Sequence, residues 1–151
     1  MENVLTRIIG NQPIGQSANT GMAIYQSFVA GSGFNYQVGI RQADELYIVE
    51  CFAEGVACLF LSRIIVLWGK NKQLIADIQV PYGTHYTREK AKELTKNELC
   101  KFVYQGCVND GIPCNREDIN SQVNELLDKC YFAESWKAAL SWAVSKGIIK
   151  R

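Results

Sequence analysis

The sequence predicts a two-layer α+β fold, with a five-stranded, mostly antiparallel sheet in the N-terminal half packed against three helices in the C-terminal half. Three observations carry that expectation. Before Pro81-Tyr82-Gly83 the apolar residues fall in short runs with strand-like alternation, and after it they recur at helical spacing. Phe34, Tyr36, Val38 and Ile40 alternate with Asn35, Gln37, Gly39 and Arg41, the clearest half-buried strand in the chain. Ile119, Val123, Leu126, Leu127 and Cys130 stand at i, i+4, i+7, i+8 and i+11, nearly ideal for one buried helix face. At 151 residues the chain reads as one domain, with a flexible arm over 1–20, a sheet over 21–80 and a helical layer over 84–151.

Taken in order, Val4, Leu5, Ile8 and Ile9 allow one helical turn, which Gly10 and Pro13 stop. Met22–Ala30 reads as the first strand, with Ile24 and Phe28 on one face and a hairpin turn at Gly31-Ser32-Gly33. Leu46–Ala53 and Val56–Trp68 are apolar on both faces, the mark of strands covered from two sides. Gly69-Lys70-Asn71 makes the next turn, and Leu74, Ala76, Ile78 and Val80 alternate with polar Gln73, Asp77 and Gln79. Thr87 caps a helix over Arg88–Gln105, and Asn115 with Asp118 forms a capping pair for the second helix. Trp136, Ala139, Leu140, Ala143 and Val144 mark a third, with Gly147 beyond its end. Three helices cover one sheet face. The other needs the N-terminal segment or a second copy of the chain.

Composition narrows the function classes. With 16 basic and 15 acidic residues the net charge is +1, which gives no overall attraction to nucleic acid or anionic membrane. The basic residues of the first long helix alternate with Glu89, Glu93 and Glu98, as on an ordinary solvated face, so nucleic acid is an unfavoured partner. The N-terminus lacks the basic start and apolar stretch of a secretory signal, and Ser62 and Arg63 break the most apolar window. The expectation is a soluble, cytoplasmic protein with no membrane association, its six cysteines reduced.

Candidate site residues are few. No close cysteine pair of zinc-ligand spacing occurs, so no metal and no cofactor is expected. Cys114, just before a helix start, is the candidate nucleophile because the helix dipole favours thiolate, with His85 as the available base. The plainer reading is a partly exposed thiol, with the His85 loop packed over the sheet. Glu50 and Arg63 put charges into apolar strands, and with His85 they are the candidate ligand-binding set. The plainer reading is an ion pair at the sheet margin. Trp142 lies off the buried stripe of its helix and is the candidate interface residue. The leading expectation is therefore a non-enzymatic module that binds a protein partner or itself as a homodimer. A small enzyme or small-molecule binder with a pocket between sheet and helices is the alternative.

Overall fold

The computed structural model describes residues 8, 16–29, 36–43, 45–54, 59–82, 84, 87–130 and 136–145. Within them the chain runs α1 (Gln16–Val29), β1 (Tyr36–Ala43), β2 (Leu46–Glu54), β3 (Leu59–Trp68), β4 (Gln73–Gln79), α2 (Arg88–Asp110), α3 (Arg116–Lys129) and α4 (Trp136–Ser145). The strands pair antiparallel in the order β1-β2-β3-β4. Strands give way to helices after Pro81, where the periodicity changes. The sheet has four strands, however, not five.

The difference lies at Met22–Ala30, expected as a strand. Its residues up to Val29 belong to α1. Ala18 and Gly21 are buried and Met22, Ile24 and Tyr25 half-buried, while Asn19, Thr20, Ala23, Gln26 and Ser27 are exposed. That is a period of three to four. Ile24 and Phe28 are four apart, a spacing that fits one face of a strand and one face of a helix equally well. The Gly31-Ser32-Gly33 turn lies outside the described residues.

The two-layer expectation changes with it. On one face of the sheet Leu46, Ile48, Ile64 and Val66 form the main core with Leu99 and Val103 of α2 and Ile119, Val123 and Leu127 of α3, and Ala138 of α4 packs against it. On the other face Val49, Cys51, Ile65 and Leu67 form a second cluster that Ile24 and Tyr25 of α1 pack upon. The central strands are apolar on both faces because helices from their own chain cover both. Burying each of these Ile, Leu and Val side chains contributes about 1.5–3 kcal/mol.

Local chemistry sets the ends of the helical layer. The Thr87 hydroxyl accepts from the Lys90 amide at 3.0 Å, and the Asn115 side chain accepts from the Asp118 amide at 2.8 Å. The first of these helices runs past the expected end at Gln105 to Asp110, where Gly111 takes the left-handed conformation (φ 66°) and donates back to Cys107 and Val108. Lys92 of α2 reaches Asp128 of α3 at 3.0 Å. Ile8 is helical and fully buried, and its Cγ2 fills the space a Cβ on Gly106 would need. Among the described residues no helix is long and apolar enough to cross a membrane.

Candidate functional site

Strand pairing decides where the two charged strand residues go. Glu50 lies opposite Ile64 on β3 and Gly39 on β1, and Arg63 lies opposite Cys51. Successive residues of a strand point to opposite faces. Glu50 is therefore on the α2–α3 face with Ile48 and Val66, fully buried. A carboxyl group so far from water needs polar partners. Arg63 is on the α1 face, and a single pocket on either face does not hold both side chains.

Arg63 has a different partner from the one the sequence brings to mind. Its Nε and Nη2 donate to Asp77 Oδ1 and Oδ2 at 2.7 and 2.6 Å, a two-pronged pair between β3 and β4. Each side chain is about a third exposed, so the pair is a sheet-margin contact worth about 0.5–1 kcal/mol after solvent screening.

The thiols vary in accessibility. Cys51 has no exposed surface, and burial pushes its thiol from 9.0 up to about 12 against the opposing pull of Arg63. Burial also raises Cys100, with Lys96 opposing, and its Sγ lies 3.1 Å from Asn120 Oδ1. Cys107 and Cys130 are buried. Cys114 is half-buried against the main core, one residue before the Asn115 cap. His85 and Cys58 lie outside the described residues, as does the Trp142 side chain, whose backbone belongs to α4. Among the described residues no group of His, Cys, Asp and Glu is placed to hold a metal ion.

The structure does form a groove between sheet and helix, but neither Glu50 nor Arg63, expected to line such a pocket, is among its residues. About 640 Å³ in volume, it has Ile75, Ala76 and Asp77 of β4 along one wall and Glu98, Lys101, Phe102, Gln105 and Asn109 of α2 along the other. Tyr104 and Arg116 also line it, the guanidinium over the ring at 4.6 Å from its centre. Because β4 is the last strand of the sheet, one side of it has no strand neighbour among the described residues. The Val80 amide donates to Ser62 at 3.0 Å, which sets the phase of the ladder. Residues 64 with 78 and 66 with 76 are then the hydrogen-bonded pairs, and the N–H and C=O groups of Asp77 and Gln79 point away from β3. One signal in the sequence could have found this edge. Gln73, Asp77 and Gln79 set polar residues into the fourth strand, as suits a margin. Comparison with family models, with curated proteins and with solved structures finds no match.

Proposed function

We propose that this protein is an interaction module whose docking surface is the outer edge of β4 and the groove beside it. The observation that carries the reading is the outward set of backbone donors and acceptors at Asp77 and Gln79, alongside a cleft of mixed apolar and charged lining formed with α2. A strand edge with that character is met by another strand, which supplies the missing hydrogen bonds. The sheet faces offer less: α1 lies against one and α2 and α3 against the other. Partner binding therefore belongs to the margin of the sheet rather than to its face.

Native mass spectrometry of the purified chain, alone and with peptides selected from a displayed random library, tests this. Gln79→Pro removes an outward N–H without touching the β3–β4 ladder. A self-assembly or a peptide complex that is present in the wild type and lost in Gln79→Pro supports strand pairing at β4. A chain that stays monomeric and captures no peptide, or a complex that Gln79→Pro leaves intact, contradicts it.

A further inference from the structure

Resting on that reading, we infer that the occupant of the groove is an extended peptide segment of another protein, added to β4 as a further strand and carrying an acidic side chain that Arg116 receives. Two independent features of the groove support the assignment. The first is the geometry of the edge. Asp77 and Gln79 offer outward backbone groups two residues apart, the repeat at which an extended chain presents its own.

The second is charge. Four charged residues line the groove: Asp77, Glu98, Lys101 and Arg116. Arg63 holds both Asp77 oxygens, and Lys101 Nζ lies 3.4 Å from Glu98 Oε1. Arg116 makes no ion pair with any described residue. Its guanidinium rests on the Tyr104 ring, which orients the planar fork without occupying its donors. The unspent charge of the groove is thus one guanidinium, whose natural complement is a carboxylate.

A second copy of the chain fits less well. Its β4 has one acidic residue, Asp77, which Arg63 already holds, so edge-to-edge pairing of two copies brings no free carboxylate to Arg116. A foreign strand with a Glu or Asp supplies both the backbone groups and the charge.

The test uses the full chain and a displayed library of random twelve-residue peptides, followed by binding measurements on the selected sequences. The expected peptides combine β-branched residues with a recurrent Asp or Glu. Changing that acid to Gln weakens binding to the wild type about tenfold, as expected for loss of a charge-assisted hydrogen bond. The same change has little effect on binding to Arg116→Gln. N-methylation of the backbone amides that face β4 weakens binding at least as much. The acid-to-Gln peptides alter only the ligand, so the result does not depend on how the protein variant folds. If acid-free peptides bind equally well and are still lost in Gln79→Pro, this inference falls and strand pairing survives. When no peptide is selected at all, a wild-type dimer that Gln79→Pro dissociates again overturns this inference alone, whereas a chain that stays monomeric overturns both.

Discussion

At Gly21 a side-chain carbon would overlap the Lys72 carbonyl oxygen and come within 2.8 Å of the Leu74 amide nitrogen. Both obstacles are backbone at the start of β4 and cannot swing aside. A glycine inside a helix ordinarily costs about 1 kcal/mol relative to alanine, so its presence here reflects the close approach of α1 to the sheet. Gly21→Ala should therefore destabilise the fold by about 2 kcal/mol, through strain that outweighs the gain in helix propensity. A lower urea midpoint shows this; an unchanged or higher one means α1 lies further from β4. Cys51 makes a second residue-level prediction. Its thiol is held protonated to about 12 in the folded state, against 9.0 ordinarily. Between those values the unfolded chain releases a proton that the folded chain keeps, so this contribution is full below pH 9 and is lost as pH rises toward 12. The slope approaches about 1.4 kcal/mol per pH unit at most. Denaturant melts from pH 8 to 10.5 should show a decline that Cys51→Ala reduces, and identical slopes would contradict the burial of the thiol.

At the scale of elements, β4 is a strand with two unlike sides. Ile78 donates into the β3 ladder and Gln79 does not. Ile78→Pro should cost about 1–3 kcal/mol, the penalty of an unmade buried hydrogen bond, and Gln79→Pro well under half of that. Equal losses in thermal melts would mean that the Gln79 amide is already engaged. The helix caps give a simpler expectation: Thr87→Ala and Asn115→Ala should each cost about 1 kcal/mol. The elements also explain what the sequence makes legible. Four strands and the three C-terminal helices follow from periodicity because their patterns run for a full strand or several helical turns. The first element does not, since Ile24 and Phe28 satisfy both periods and a following Gly-rich stretch suggests a hairpin. Glu50 and Arg63 stand out as charges in apolar strands, but a single step of register separates one sheet face from the other. That step, with the irregularity between Cys51 and Phe52, is a property of pairing and not of either strand alone.

At the scale of the whole molecule, both faces of the central strands are covered by the chain's own helices, and among the described residues the β4 margin keeps backbone groups without a strand partner. A pocket between sheet and helix was legible as a possibility, but its lining was not, because it joins β4 to residues of α2 and α3 more than twenty positions away in sequence. Neither its mixed lining nor an Arg116 guanidinium that makes no ion pair with any described residue has a local pattern. The most direct test of this account is amide hydrogen exchange, resolved by residue, on the dilute monomer. The account predicts slow exchange at Ile78 and Val80, whose amides face β3, and fast exchange at Asp77 and Gln79. Addition of a strand-forming partner should then slow the latter two. Slow exchange at Asp77 and Gln79 in the isolated monomer would mean that the chain already covers its own edge, and the docking surface proposed for β4 would not exist.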